Sequence, residues 1–251
     1  MHLHNTPVPH YTSPLISAPH GFFSCAGGVS EPPYASLNLS RHVGDRADRV
    51  QTNRARALAA LGLRHLVAVK QVHADQVLAA TPEHLDAEPE GYDAIISTLP
   101  GTGLLIQQAD CQAVLLSAPD HGVVAAVHCG WRGSVLDIIG ATIRRLREQH
   151  GVAPEAIRAV ISPSLGPCCA EFIHYRTELP SWMHQYQVRP QYFDFWAISR
   201  RQLIEAGAPP EQIDVAGICT RCNRDFFSYR RATQTAGGIT GRNGSIIGLA
   251  E

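Results

Sequence analysis

Residues 104–150, LLIQQADCQAVLLSAPDHGVVAAVHCGWRGSVLDIIGATIRRLREQH, contain the pattern that decides the fold. Ser134 opens a predicted helix whose apolar residues recur at helical spacing, and Gly151 lies at its expected end. Before that helix come three apolar runs of strand length with no helix between them, at 104–108, 113–117 and 123–128. Consecutive strands of this kind favour an α+β layered domain over a regular βαβ repeat.

The rest of the chain extends the same pattern. Further helices are predicted over 45–61, closed by Gly62, and over 197–206, followed by Gly207. Because no linker divides the chain after residue 30, we expect a single catalytic domain over 21–251. Residues 1–20, with four Pro and four His, are predicted to be an extended lead-in with a mobile terminus. The remaining strand-length runs are 66–72, 94–97, 157–162 and 246–249.

Composition excludes several classes of protein. The chain has 251 residues, a formal net charge of −1, 45% apolar residues and 17% charged residues, as in a folded domain with a large core. It is therefore not a disulfide scaffold, a collagen or a disordered tail, and its charge argues against general polyanion binding. The sequence has no GxSxG, Walker or dinucleotide motif, which removes the commonest hydrolases, NTPases and dehydrogenases.

Cysteine usage and hydropathy indicate the compartment. Seven cysteines are an odd number, and the N-terminus has no basic-then-apolar secretion signal, so we expect reduced thiols in the cytoplasm. No apolar run approaches the roughly 20 residues of a membrane helix, so no membrane association is expected.

Three strand-like segments each end with a metal-capable side chain: His73, Cys111 and His128. Their separations, 111 − 73 = 38 and 128 − 111 = 17, exceed the short paired spacing of a zinc finger. They fit a catalytic site assembled from separate strand ends, with two imidazoles, one thiolate and a fourth position open for water or substrate. Taken singly, each residue is more often an ordinary core side chain.

The segment HCGWRGS, residues 128–134, adds a candidate anion site. A helix start presents unpaired N–H groups, and Arg132 could add a forked contact, while Gly130 and Gly133 would let a phosphate approach the backbone. The alternative is a tight strand-to-helix turn with a surface arginine.

The segment 219–250 concentrates arginine beside aromatic residues. Such a mixture can hold a nucleobase with its phosphate or single-stranded nucleic acid, and its alternative is a solvated strand edge. Because the net charge is near zero, we expect a small anionic or nucleoside ligand and no nucleic acid. The residues concerned are Arg221, Arg224, Arg230, Arg231 and Arg242, with Phe226, Phe227 and Tyr229.

Four other cysteines are open to two interpretations. Cys219 and Cys222 form a CxxC, which is a weak signal unless a second metal-binding pair accompanies it. Cys168 and Cys169 could supply that pair. Adjacent cysteines do not readily bind one ion together, so buried thiols are the prediction.

The motifs together resemble the YfiH/YlmD-type family, long labelled multicopper polyphenol oxidase or laccase-like and now regarded as purine nucleoside phosphorylases. The resemblance extends from about residue 20 to the end of the chain, and the combination of motifs is specific. It implies a sandwich of mixed β-sheets with outer helices, in α/β/β/α layers. The motifs that carry it are YASLNLSRHVGDRADRVQTNRARAL, KQVHADQV, YDAIIST, QQADCQAVLLS, AVHCGWRGSVLDII, SPSLGPCC and FFSYRRA…TGRNGSIIGL.

The resemblance also implies a chemistry. The family's zinc ligands fall on His73, Cys111 and His128, which would then be the catalytic centre. The implied activity is phosphorolysis of adenosine, inosine and S-methyl-5′-thioadenosine to the free base and a ribose 1-phosphate, together with adenosine deamination. The expected partners are a purine nucleoside and phosphate, and the expected metal is zinc, although these ligands also admit copper.

Residues beyond the metal ligands have assigned roles under this hypothesis. Arg132 at the helix start is predicted to hold phosphate, with Arg230 and Arg242 as the next candidates. Ser36 and Asn38 could hydrogen-bond ribose or the base edge, and their alternative is a turn cap. Asp110, next to a ligand in the sequence, is the candidate acid for proton transfer, although neighbouring side chains on a strand point to opposite faces.

Three rivals stay open at this point. The first is a cysteine-nucleophile hydrolase or deamidase, in which Cys111 attacks and His128 is the base. The second is a copper-dependent polyphenol oxidase, which would need many more histidines in one place. The third is a non-catalytic purine-binding or peptidoglycan-associated protein.

Overall fold

Two mixed β-sheets face each other in the computed structural model, which describes residues 1–5 and 7–251. The first sheet has the spatial order β1 (His2–His4), β2 (His10–Thr12), β3 (His20–Phe23), β14 (Asn243–Gly248), β7 (Thr102–Gln108) and β4 (His65–Ala68). The second has the order β13 (Ile213–Val215), β10 (Arg158–Ile161), β8 (Gln112–Ala118), β9 (Val123–Cys129), β6 (Ala94–Ser97) and β5 (Val77–Ala79). A separate pair is formed by β11 (Gln187–Arg189) and β12 (Tyr192–Phe193).

Both sheets contain parallel and antiparallel pairs. The strand pairs β4–β7, β5–β6 and β10–β13 are parallel, and the other neighbouring pairs are antiparallel. The helices are α1 (Ala47–Ala60), α2 (Trp131–Leu136), α3 (Ile138–His150), α4 (Tyr175–Glu178), α5 (Phe195–Glu205) and α6 (Tyr229–Thr235).

Successive side chains of a strand point alternately to the opposite sheet and to the outer helices, and this alternation produces the layers of the fold. In β7, Leu104 and Ile106 face the second sheet and join the core between the two sheets, whereas Leu105 faces outward toward α1. In β8, Leu115 faces the same inter-sheet core, and Val114 packs outward with α3. Because both faces of these strands are buried, their sequences are continuous apolar runs. The α+β class and the α/β/β/α layering are therefore confirmed.

The N-terminal segment, predicted as an extended lead-in, contributes two short strands to the first sheet. Apart from Thr6, which lies outside the described residues, the lead-in 1–20 is placed against the domain. The strands β1 and β2 extend the first sheet from β3, and His10 is buried, with Nδ1 2.8 Å from the carbonyl oxygen of Val8. A strand of three residues is too short to show a periodic pattern in the sequence. Whether this segment forms strands therefore depends on its pairing with the rest of the sheet.

The helix predicted from Ser134 begins earlier and is interrupted. The helix α2 starts at Trp131 with Gly130 as its N-cap, so the amide of Ser134 already bonds within the helix, to the Gly130 carbonyl. Asp137 adopts φ +56° and breaks the run, and its side chain then accepts a hydrogen bond from the Gly140 amide at the start of α3. A short polar side chain can stabilise this left-handed turn, which helical periodicity does not register.

The described residues contain no helix that combines the length and apolarity needed to cross a bilayer.

Candidate metal centre and adjoining cavities

The structure brings His73, Cys111 and His128 together. Their ligand atoms all lie within 4.8 Å of one another, with Cys111 Sγ 4.0 Å from His73 Nε2. The two imidazole rings are perpendicular, with centroids 4.8 Å apart. His128 is on β9, Cys111 lies in the loop between β7 and β8, and His73 lies in the turn before β5. Residues 38 and 17 positions apart thus form one group that could hold a metal.

Asp93, just before β6, fixes two members of this group. Its side chain is fully buried, and Oδ1 accepts hydrogen bonds from His128 Nδ1 at 2.8 Å and from the His73 amide at 2.9 Å. Its Oδ2 accepts from the amides of Val72, at 3.1 Å, and Ala74, at 2.7 Å. A carboxylate on Nδ1 leaves Nε2 of His128 to face the cluster, as in metal sites where a carboxylate orients the ligating histidine. Asp93 was not predicted, although YDAIIST contains it.

The charges of the group are coupled. Burial raises the pKa of the Cys111 thiol, but His128 and His73 outweigh it and lower the pKa to about 6. Burial lowers the pKa of His128, but Cys111 and Asp93 outweigh it and raise the pKa to about 9. Without a metal, the pair is therefore a thiolate and an imidazolium at neutral pH.

Gly130 leaves room for the cluster. A Cβ atom on this residue would lie 3.0 Å from Cys111 Sγ and 3.2 Å from His73 Cδ2. Its backbone is extended, with φ −76°, so the requirement for glycine comes from space and not from an unusual conformation. Gly130 thus leaves space for the side chains of the cluster, and its predicted role in admitting a phosphate stays a prediction.

An aromatic pocket opens on one side of Cys111. Its volume is about 170 Å³. Arg230 lines it, as does Gln112, which is buried and whose Nε2 has no hydrogen-bond acceptor among the described residues. The aromatic side chains in its wall are Trp131, Phe172, Phe195 and Tyr229.

A polar cavity also borders the cluster. His73, Cys111 and His128 all line it, together with Arg242 and Lys70. The Arg242 guanidinium is half-buried, and burial lowers its pKa against the opposing effect of Cys111. Within residues 1–5 and 7–251, no carboxylate lies at ion-pair distance from Arg242. The Arg242 guanidinium beside the cluster is instead held by the backbone carbonyls of Thr240 and Gly241, at 3.0 and 3.2 Å.

Three predicted substrate residues lie elsewhere. Arg132 is exposed, with its guanidinium over the Trp131 ring at 4.9 Å, and in the described part of the chain it lines neither cavity. Ser36 donates to the Cys25 carbonyl and accepts from an amide. Asn38 is fully buried, where it bonds Ser40 and the Arg242 amide. Short polar side chains suit such turns, which is the alternative that the sequence left open.

The carboxylate of Asp110 is occupied by hydrogen bonds from other parts of the protein. It lies in the loop between β7 and β8, with φ +87°, so the rule that neighbours on a strand face opposite ways does not apply. Its Oδ1 accepts from Thr220 Oγ1 at 2.7 Å, and its Oδ2 accepts from the Arg230 amide at 2.6 Å. The carboxylate thereby anchors the start of α6, which carries Arg230, to the loop that carries Cys111.

The other four cysteines form a second group. Cys168, Cys169, Cys219 and Cys222 have all their sulfur atoms within 4.8 Å of one another. Cys168 and Cys222 are exposed, so the prediction of buried thiols is wrong for these two. The sequence predicts that adjacent cysteines do not readily bind one ion together, but the loop brings the sulfur atoms of Cys168 and Cys169 into one group.

The fold is that of a group of solved proteins. The structure of YlmD from Geobacillus stearothermophilus matches with a TM-score of 0.89 and 30% identity, covering 99% of this chain and 98% of that one. The YfiH structure from Bacillus licheniformis matches with a TM-score of 0.84 and 31% identity over 92% of both chains.

Sequence comparison gives the same result. The family model described as multi-copper polyphenol oxidoreductase laccase matches residues 19–250, and the chain belongs to this family. A purine nucleoside phosphorylase of Deinococcus radiodurans is 35% identical, over 96% of this chain and 93% of that protein. Purine nucleoside phosphorylase YfiH of Escherichia coli is 35% identical, over 94% and 97%. The resemblance stated from the motifs is therefore confirmed, and relatives with enzyme names support an enzymatic role.

Proposed function

We propose that this protein is a zinc-dependent purine nucleoside phosphorylase that also deaminates adenosine, acting in the cytoplasm on adenosine, inosine and S-methyl-5′-thioadenosine. One observation carries the proposal. The His–Cys–His group lines a polar cavity that contains Arg242, and its member Cys111 also lines an aromatic pocket. A nucleoside has an apolar ring and a polar sugar, and its phosphorolysis needs phosphate beside that sugar. The names of the relatives support the same reaction.

The donor set fits zinc. His73, Cys111 and His128 offer two imidazole nitrogens and a sulfur, which leaves a fourth position of a tetrahedral ion for substrate or water. Asp93 supplies the carboxylate that orients one ligand. Bound there, zinc would supply Lewis acidity toward a polar group of the substrate. Copper would accept the same ligands. A multicopper centre needs more histidines, and among the described residues this is the one group of possible metal ligands that contains any.

The aromatic pocket is the proposed site for the purine. Phe172 and Phe195 have ring centroids 5.0 Å apart, and Trp131 packs edge-on against Phe172 at 6.3 Å. A purine can stack on such side chains whatever its substituents, which agrees with a family of purine substrates. We assign the free Nε2 donor of Gln112 to an acceptor on the base.

The polar cavity is the proposed site for phosphate. Arg242 presents a half-buried guanidinium there, with Nη1 bonded to the carbonyls of Thr240 and Gly241. Arg230 lines the aromatic pocket instead. In the reaction, a phosphate oxygen forms a bond to C1′ as the C1′–N9 bond breaks. The electron pair of that bond goes to the purine, which takes up a proton. Deamination exchanges the 6-amino group of adenosine for a water oxygen and releases ammonia.

Chromatography of adenosine incubated with the zinc-loaded protein tests the proposal. We expect adenine only when phosphate is present, and inosine with or without it. If one zinc ion is bound at the His–Cys–His group and neither product forms, the proposed activity is wrong.

A variant locates the phosphate site. Arg242→Ala removes a charged hydrogen-bond donor, which is worth about 1.5–3 kcal/mol. We therefore expect kcat/KM for phosphate to fall about 10- to 150-fold. Arg46→Gln is the matched control, because Arg46 is exposed and pairs with Asp48 at the surface. Equal values for the two variants would place the phosphate elsewhere.

One observation favours a second candidate, a cysteine-nucleophile hydrolase. In the absence of metal, Cys111 and His128 form a thiolate–imidazolium pair, the activated state of such enzymes. The two candidates differ in their need for metal. Activity that survives chelation and is abolished by a thiol alkylator would support the hydrolase.

A further inference from the structure

The second cysteine group joins two loops that are distant in sequence. Cys168 and Cys169 lie in the loop after β10, and Cys219 and Cys222 lie in the loop after β13. Because β10 and β13 are parallel neighbours, both loops leave the sheet at the same edge. The pairing continues beyond the strands, where Ser164 bonds the backbone on either side of Cys219 at 3.0 and 3.1 Å. The two pairs of thiols therefore meet because of sheet topology.

The sulfur positions match a tetrahedral metal site. Cys222 Sγ lies 3.8 Å from Cys168 Sγ and 3.4 Å from Cys169 Sγ, and all four sulfur atoms lie within 4.8 Å of one another. Zinc–thiolate bonds of about 2.3 Å in a tetrahedron place neighbouring sulfur atoms about 3.8 Å apart. The turn of residues 219–223, closed by the Asn223 amide on the Cys219 carbonyl at 2.9 Å, brings both thiols of the CxxC to one side.

The surroundings suit a negatively charged metal complex. Four thiolates around one divalent ion carry a net charge of −2. The Arg221 guanidinium donates to Cys169 Sγ at 3.4 Å, and the guanidinium of Arg189 donates to the Cys168 carbonyl at 2.9 Å. Arg230 reaches the Cys169 carbonyl at 3.5 Å. Positive charge thus lies around the group, and the exposure of Cys168 leaves a path for an ion to enter.

We propose that Cys168, Cys169, Cys219 and Cys222 bind a structural zinc ion, separate from the His–Cys–His group. Four protein thiolates close the coordination shell, so this site stabilises structure and offers no position to a substrate. The loop that it fixes continues directly into Ala170 and Phe172, which line the aromatic pocket. The ion would therefore hold one wall of that pocket in place.

Metal content separates the two sites. We expect about two zinc ions per chain in the purified protein by mass spectrometry of the elements. Cys111→Ala should retain one, and the double variant Cys168→Ser/Cys222→Ser should also retain one. Cys25→Ser is the matched control, because Cys25 belongs to neither group, and it should retain two. An ion that persists in Cys111→Ala and is lost on adding the double substitution supports the site, whatever the His–Cys–His group binds.

The double variant could lose its metal simply because it misfolds. Two further measurements therefore use proteins in which all four cysteines of the second group are intact. Cobalt loaded into Cys111→Ala should give the intense near-ultraviolet charge-transfer bands and red d–d bands of a tetrahedral tetrathiolate site. Thiol titration of the metal-stripped wild-type protein in denaturant should count all seven cysteines. A count of five would show a disulfide in the group, and absence of metal and of cobalt bands in Cys111→Ala would show free thiols. Either result would overturn the proposal.

Discussion

Replacing Asp93 with Asn probes how the candidate metal centre is held in place. The carboxylate accepts four hydrogen bonds, two on each oxygen, from His128 Nδ1 and from the amides of Val72, His73 and Ala74. All four donors are N–H groups. The side chain of Asn has the same shape, but only its oxygen accepts, so its NH2 group must face two of the four donors in either orientation.

The cost follows from this count. Two hydrogen bonds to a buried charged group are lost, each worth about 1.5–3 kcal/mol, so the variant should lose about 3–6 kcal/mol of unfolding free energy. The loss is large because Asp93 is fully buried and water cannot replace the missing acceptor. In either orientation the neutral Asn side chain holds His128 less strongly than the carboxylate does, and we expect metal affinity to fall about 10- to 100-fold.

Urea unfolding in excess chelator measures the first effect, and competition with a chromogenic chelator measures the second. Asp75→Asn is the matched control, because Asp75 lies in the same turn and its side chain accepts a hydrogen bond from the neighbouring Gln76 side chain. The control should stay within about 0.5 kcal/mol of the wild-type protein. The reasoning is refuted if Asp93→Asn matches this control in both stability and metal affinity.

Three further variants or conditions have definite expected outcomes. Gly130→Ala should weaken metal binding with little effect on unfolding free energy, since the added methyl group would contact Cys111 at 3.0 Å; metal affinity equal to that of the wild-type protein would contradict this. Glu88→Ala leaves Arg54 buried without its ion-pair partner, so the free energy of unfolding measured in urea should fall by about 3–5 kcal/mol. Glu90→Ala breaks an exposed ion pair with Lys70 and should lower the same quantity by less than about 1 kcal/mol. In metal-free protein, the rate of Cys111 alkylation by iodoacetamide should rise with pH around a midpoint near the lowered pKa of about 6, because the thiolate persists down to that pH. A midpoint near the ordinary thiol pKa of about 8.5 would disprove the proposed ion pair.

The aromatic pocket and the polar cavity meet at the candidate centre, to which two loops and the end of β9 contribute. Tyr229 and Cys111 line both cavities, so one substrate can span them across the metal ligands. The loop with Cys111 is fixed from the other side by Asp110, through Thr220 and the amide of Arg230. The sandwich therefore supplies a rigid support, and the loops at its edge supply the chemistry.

Local sequence was sufficient for the central strands and for the identity of the metal-capable residues. The runs that became β6 to β9 are apolar on both faces, because one face meets the opposite sheet and the other meets a helix. Such strands are buried over their whole length, and burial leaves a continuous signal in the sequence. His73, Cys111 and His128 were recognisable because few other side chains can bind a transition metal.

Tertiary structure alone decided which of these residues meet and what they meet. Asp93 acts through hydrogen bonds to a turn 20 residues earlier and a strand 35 residues later, and such contacts have no periodicity. Arg132 and Arg242 have the same side chain, yet one lies over a surface indole ring and the other lines the cavity. The two cysteine pairs meet because β10 and β13 are parallel neighbours. Residue type determines what a side chain can do, whereas strand order and loop direction determine what it reaches, and these depend on packing of the whole chain.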